Sequence, residues 1–593
     1  MIRTRKESSM IATVWKRFRR YAVAGTLAAA GLAGSAMAQE PAKVDINDLK
    51  AKLETQQKQI EQLQKLLQSQ QQAVSTDGGK EGSETLTQEE KIRKLAEAVF
   101  KEKEDKKKKE DEIKKAEEEC KGSVVGSDFK MTAWWDPANG VNLGTADRAF
   151  TLHVGGRFQE DWVWWQQPVA TRKAQDGAGH GPVFGGVTPF EDGTFFRRIR
   201  LNLDGTAWEV VEFNFEYAFE NFGNNTGIAE LDEFWVGVKD IAYLGTVRVG
   251  HLKVPQGLEG DMVSSSKDMT FMERASYTDA FYENFAPGVW VGNHILCDRA
   301  TWAAMAYKQE AGTISGASNL EPGAPDGAVL QDGNWGYTGR LTALPCYCLD
   351  GRELLHLGVS GTYRSALLPE TAGAATDTGG ARFVDFSARP EMRDTIGNYT
   401  NVGPGNSKRL VDTGLIQCDA ATVLGTEALA IVGPLTLQAE YAWSWADHVH
   451  ATTSPTTGAL VKHNIGALGF GGGYIQAAYL LTGENRQYDR RLGRLATNGI
   501  RPYTPFWFVR DGSGNICSGL GAWELAYRFS YLNLNDGPVN GGILDSQTVG
   551  LNWYLNNNLK IQFEYLYSDR LAMPPGAALG AINSFGIRTQ ILF

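Results

Sequence analysis

The sequence predicts an all-β transmembrane barrel with an N-terminal α-helical coiled-coil extension. Three observations point there. Beyond residue 122 the apolar residues recur with a period of two over segments of roughly ten residues, one face greasy and the other charged, as a spanning strand requires. The chain of 593 residues is only 42% hydrophobic, has a mean hydropathy of -0.30, and nowhere reaches the ~18 consecutive apolar residues that mark a spanning helix. It also ends on an aromatic residue, Phe593, at the close of an alternating segment. Its 67 glycines, about 11% against a usual ~7%, and its sixteen Trp fit one large β architecture better than four soluble α/β domains.

Residues 1–38 read as a signal peptide. Arg3, Arg5, Lys6, Lys16, Arg17, Arg19 and Arg20 precede an apolar run from Tyr21 to Gly34, and Ala36-Met37-Ala38 closes it as an A-x-A cleavage site. Cleavage after Ala38 removes seven bases and one acid from totals of 59 and 69, leaving 52 against 68, a net charge of -16. Residues 122–593 hold 34 bases and 48 acids, so the acid excess belongs to the large C-terminal part. No basic face for nucleic acid exists, and that class is set aside.

Residues 39–75 carry Ile46, Leu49, Leu53, Gln56, Ile60, Leu63, Leu67, Gln70 and Val74 at alternating spacings of three and four, the seam of a coiled coil. The alternative is one amphipathic helix lying on a domain. A two-in-seven stripe is narrower than a globular helix usually buries, which favours self-association. Residues 76–121 break the helix at Thr76–Ser83 and then interleave both charge signs, as a charged helical or disordered spacer does. The cell wall, met through residues 39–121, is the further partner weighed for this neck.

From residue 122 onward the barrel signal takes over. Ile199, Leu201 and Leu203 alternate with Arg198, Arg200, Asn202 and Asp204; Val211, Phe213, Phe215 and Tyr217 alternate with Glu212, Asn214 and Glu216. The pattern returns in Leu435–Trp443, Trp523–Tyr531 and Leu559–Tyr567. A soluble sandwich alternates too, but here Tyr, Trp and Phe crowd the apolar face towards strand ends, as in the girdles of a barrel in lipid. Closure is also the only way for strands in hydrocarbon to pair every backbone group.

Several motifs, in order, resemble those of the phosphate-selective porins of the porin O and P type. They are Leu152–Gln159 followed by Asp161; Phe196-Arg197-Arg198 leading to Gly205-Thr206-Ala207; Val247–Pro255; Gly257-Leu258-Glu259; Ser265-Ser266-Lys267; Glu273-Arg274; Gly521–Leu525; and Gly550–Tyr554. The resemblance implies a trimeric barrel of about sixteen antiparallel strands, eighteen being the alternative, in the bacterial outer membrane with the N-terminal extension in the periplasm. It implies an inward constricting loop near residues 258–275 and insertion by the barrel machinery through Phe593. It further implies an arginine ladder for small anions such as phosphate, with Arg157, Arg197 and Arg198 as members, Ser265, Ser266 and Lys267 on the constricting loop, and Asp232 as the acidic neighbour.

The strand period adds Arg200 to the luminal face and turns Arg197 outward unless a bulge reorients it. Lys253 and Arg248 are further pore candidates. A luminal arginine can equally be a structural partner of a carboxylate. The chain also departs from the family's pattern: Glu212 and Gly260-Asp261 stand where lysines are expected, and His251 where an arginine can occur. The function expected is a passive porin for small hydrophilic solutes, with an envelope tether through residues 39–121 as the rival.

No hydrolytic or nucleotide motif appears, and neither an enzyme activity nor a cofactor is expected. The six cysteines, Cys120, Cys297, Cys346, Cys348, Cys418 and Cys517, allow fifteen disulfide connectivities. Cys346 and Cys348, two apart, would share one face of a strand.

Overall fold

A computed structural model describes residues 107–108, 130–136, 140–171, 187, 189–219, 230–262, 267, 269–309, 335–366, 382–394, 409–453, 460–506, 509–510, 512–573 and 579–593. The predicted leader and coiled coil lie outside the described residues, as does the spacer apart from Lys107 and Lys108. None of the helices among the described residues is long and apolar enough to cross a membrane; the spanning elements are strands.

Sixteen strands among the described residues form one closed antiparallel ring. They are β1 (Thr151–Gln166), β2 (Gly193–Ala207), β3 (Val211–Ala218), β4 (Glu230–Ile241), β5 (Gly245–Lys253), β6 (Phe285–Ile295), β7 (Ala300–Lys308) and β8 (Trp335–Cys348). The second half comprises β9 (Glu353–Ser365), β10 (Ala420–Val432), β11 (Leu435–Thr453), β12 (Leu460–Leu480), β13 (Ala522–Asp536), β14 (Val539–Tyr554), β15 (Leu559–Leu571) and β16 (Gly580–Leu592). Each pairs with the next, and β16 returns to β1 in a register running from Asn583↔Gln166 to Leu592↔Arg157. The expected count of sixteen is the one observed. A hairpin, Met131–Asp136 with Gly140–Thr145, is hydrogen-bonded to the start of β1.

Closure sets two inventories of side chains. Outward-facing residues are apolar and exposed, among them Leu201, Val249, Ile475 and Val549, and aromatics gather at both rims. Trp164 stacks on Phe585 at one end, with ring centroids 5.7 Å apart, and Trp523 on Trp553 at the other, at 5.0 Å. Inward-facing residues are polar and buried, as with Gln159, Arg198, Arg528 and Arg588. The terminal residue joins the ladder: Phe593 N–H donates to the Gly156 carbonyl at 3.1 Å, and Gly156 N–H to the Phe593 carbonyl at 2.7 Å. A Cβ on Gly156 would stand 2.5 Å from the Phe593 ring, so glycine is what lets the last aromatic close the seam.

Connections are short at one end of the ring, for example residues 208–210, 242–244, 433–434 and 555–558, and mostly long at the other. Short turns face the periplasm in outer-membrane barrels. Residues 254–284 leave β5 on the long-loop side and fold against the luminal wall, carrying the short helix α1 (Ser276–Phe281). Carboxylates of the wall hold this segment by its backbone. Glu440 accepts from Leu258 N–H at 2.7 Å and Glu259 N–H at 2.6 Å, and Glu564 accepts from Met272 N–H at 2.7 Å. Two further connections fold in likewise: residues 382–394 place Glu391 under Ser276 N–H at 2.9 Å, and residues 481–501, on the short-turn side, place Tyr488 on His356 at 2.7 Å.

Candidate anion path through the lumen

The strand period dictates that Arg198, Arg200, Asn202 and Asp204 of β2 share the luminal face, and Arg198 and Asn202 are buried there. Arg157 stands opposite Arg200 in register on β1. Both guanidiniums turn to Glu216 of β3: Arg157 is ion-paired to Oε1, and Arg200 Nη1 donates to the same oxygen at 2.8 Å. The Glu216 carboxylate also lies in the fields of Lys267, on the inward segment, and Lys253, at the end of β5. Lys253 in turn faces Glu233, Arg274, Arg157 and Arg494, with its ammonium 5.6 Å from the Phe285 ring. Among the described residues four cations thus act on the one carboxylate of Glu216, inside a barrel whose sequence is acidic overall.

Arg197 illustrates how backbone geometry overrides a simple period. Gln159 pairs with Arg198, but the next residue of β1, Glu160, pairs with Phe196, so Arg197 is the extra residue of a bulge. A bulge redirects a side chain. Arg197 accordingly reaches Glu273 of the inward segment, donating from Nε at 2.7 Å and Nη2 at 2.9 Å. Arg588 of β16 donates to the same carboxylate at 2.9 Å while forming a bidentate pair with Asp161 at 2.6 and 2.7 Å. Burial disfavours a charged Glu273, but the Arg197 guanidinium, with Arg588 and Arg198 behind it, holds its carboxyl well below the usual carboxylate range. Arg197 thus ties the inward segment to the seam where the ring closes.

Arg198 donates from Nη1 to Gln159 at 2.9 Å, and Gln159 donates to Gln590 at 2.6 Å, a neutral relay beside the basic cluster. Ser265 and Ser266 lie outside the described residues; Asp232 lies in β4, its side chain outside them. Lys267 is half-buried. Glu212, which stands where a lysine was expected, accepts from Arg248 Nε at 2.6 Å, and that guanidinium lies 4.2 Å from the centre of the Trp235 ring and 4.9 Å from that of Trp290. His251 is buried against Phe285.

Sequence reasoning missed Glu216 and Glu233 as site residues, quoted Arg274 only as part of a motif, and passed over Arg494. Glu216 carried a visible signal, its place on the polar face of β3. Arg494 carried only a weak one, a basic tract from Arg490 to Arg494 in a connection whose inward path no local pattern encodes.

A family model for the phosphate-selective porins O and P matches residues 187–593. Porin O of Pseudomonas aeruginosa is 26% identical over 483 residues, which cover 77% of this chain and 91% of that protein. An uncharacterized protein of Caulobacter vibrioides is 28% identical over 407 residues, 68% of either chain. Among solved structures, the anion-selective porin from Comamonas acidovorans superposes with a TM-score of 0.39 at 10% identity, covering 75% of this chain and all of that one.

Proposed function

We propose that this chain, which belongs to the phosphate-selective porin O and P family and is an outer-membrane porin, conducts small anions such as phosphate by passive diffusion. The observation that carries the reading is the gathering of Arg157, Arg200, Lys253 and Lys267 about Glu216, with Arg274 and Arg494 adding their charge beside Lys253. Such a cluster replaces part of an anion's hydration shell and lowers its entry barrier, while the carboxylates keep the site from trapping the ion. Arg157 and Arg200 present forks of N–H donors suited to phosphate oxygens, and Glu216 holds both forks aligned until a permeating anion displaces it. Each transfer exchanges one charge-assisted hydrogen bond for another, so no single step is deep.

The segment 254–284 narrows the path and brings Lys267 and Arg274 to it. The functional unit is a homotrimer, with residues 39–75 as a periplasmic coiled coil, residues 76–121 as its spacer and Phe593 as the element read by the insertion machinery. The test is single-channel recording in planar bilayers with the reversal potential measured across a chloride gradient and phosphate titrated in. Anion selectivity with block by phosphate is expected; cation selectivity would overturn the anion assignment, and silence would overturn the channel itself.

A further inference from the structure

Cys346 and Cys348 sit at the short-turn end of β8 with their Sγ atoms 3.9 Å apart. Cys348 is exposed and Cys346 half-exposed, and both remain free thiols. Their partners across the ladder are Leu355 and Glu353, on the outward face, whereas the residue between them, Tyr347, pairs with the buried Leu354 and points inward. Just before the pair the register slips, between Ala343 and Cys346, where Pro345 interrupts the ladder. The slip leaves the ladder irregular immediately before the pair, while Cys346, Tyr347 and Cys348 stay in register, so the two sulfurs close on each other only by bending the strand at Tyr347.

Tyr347 is what gives this pair reach. Its ring lies 4.8 Å from the Arg490 guanidinium and 5.6 Å from that of Arg299, and it packs on the apolar cluster that joins Leu344 and Leu354 of the wall to Leu495. Arg490 and Leu495 belong to residues 481–501, the segment that enters the lumen from the short-turn side and carries Arg494 of the basic cluster. Arg490 is also hydrogen-bonded to the Cys297 carbonyl in the neighbouring turn. Tyr347 is thus one of the side chains that seat this segment against the wall, and it is flanked on both sides by an accessible thiol.

We propose that Cys346 and Cys348 are a redox-switchable thiol pair at the periplasmic rim, whose oxidation by a disulfide oxidant turns Tyr347 off Arg490 and loosens the segment 481–501. The step is thiol–disulfide exchange. The Cys348 thiolate attacks one sulfur of the oxidant's disulfide, and the other sulfur leaves as a thiolate. The Cys346 thiolate then attacks Cys348 Sγ, forming the intrachain bond and releasing the oxidant's second sulfur. Two electrons pass to the oxidant, and the two protons end on its thiols. The periplasm, unlike the cytosol, is a compartment in which such a bond persists. The regulatory consequence rests on the channel reading above; the chemistry of the pair does not.

Oxidised glutathione added to the purified, refolded barrel tests both halves. Peptide mapping after alkylation is expected to show Cys346 and Cys348 joined, lighter by two hydrogens and unalkylated. Unit conductance is expected to rise, to return on adding reductant, and to stay constant in Cys348→Ser. Limited proteolysis is expected to cut within residues 481–501 faster in the oxidised barrel, which reads the loosening even if no current flows. Persistent alkylation of both thiols, stable glutathione adducts, or a bond from either to Cys297 would overturn the pairing. A Cys346–Cys348 bond with unchanged proteolysis would overturn the switch, and a silent channel with faster proteolysis would retain the switch while sinking the channel reading.

Discussion

Two sides of the lumen use arginine in opposite ways. Across β8–β16 arginines are matched by buried carboxylates: Arg340 with Glu427 at 2.6 Å, Arg486 with Glu524 at 2.8 Å, Arg528 with Glu391 at 2.6 Å, and Arg588 with Asp161 at 2.6 Å. Beside β1–β5, Arg157 and Arg200 share one oxygen of Glu216, and Lys253 and Lys267 add to the positive field on it. The first arrangement is scaffold. Each guanidinium there meets at least one carboxylate and holds an inward segment in place, as when Arg528 also donates to the Glu273 carbonyl at 3.1 Å and Arg340 to the Gly493 carbonyl at 3.0 Å. The second concentrates two guanidiniums on a single carboxylate oxygen beside the path. The difference teaches that an arginine on a luminal face says little about permeation until its partners are counted.

Substitutions on the two sides break or sharpen this comparison. The largest stability loss is expected for Arg588→Ala, which strands the fully buried Asp161 and removes one of the guanidiniums on Glu273; breaking such a pair costs about 3–5 kcal/mol. Urea unfolding of the refolded barrel reads it, and a loss as small as that of Arg200→Ala would erase the distinction. Next in size is the double variant Arg157→Ala with Arg200→Ala. Each charge-assisted hydrogen bond is worth about 1.5–3 kcal/mol, so phosphate block should weaken by roughly tenfold or more. Reversal-potential and block titrations decide it, and unchanged selectivity would move the filter elsewhere.

Glu216→Gln sharpens the same point with a smaller effect. Removing the competing charge should tighten phosphate block several-fold and slow phosphate release, seen as longer blocked intervals in single-channel traces. Weaker block would mean that Glu216 contributes only by aligning the arginines.

The smallest effect is a pH response in the long-loop region, where Asp385 and Asp412 share Arg409, at 2.6 and 3.3 Å. Burial, and then the Asp412 charge, raise the Asp385 carboxyl to about 7 against the pull of Arg409. A carboxyl raised on folding binds its proton better in the folded state, so its contribution is fully present only below its ordinary value of 3.8 and is lost progressively as pH climbs to about 7. Glu273, depressed, runs the other way and loses its contribution only on acidification. Proteolysis between residues 382 and 412 should therefore quicken from about pH 4 to about pH 7, and a flat profile would remove Asp385 as its cause.

The sequence by itself determined the barrel, because the period of two, the aromatic rims and the terminal Phe593 are local consequences of a strand having one face in lipid and the other in the lumen. It also determined that Arg198 and Arg200 turn inward, since alternation follows from the pleat. Only the tertiary structure decided that Arg197 turns inward as well, through a bulge that depends on register with β1. It alone brought Arg494 to Lys253 and set Glu440 beneath the backbone of Leu258, across separations of more than 150 residues. The physical reason is that a luminal partner is chosen by ring closure and by inward segments held through their backbones, neither of which leaves a periodic trace in the chain.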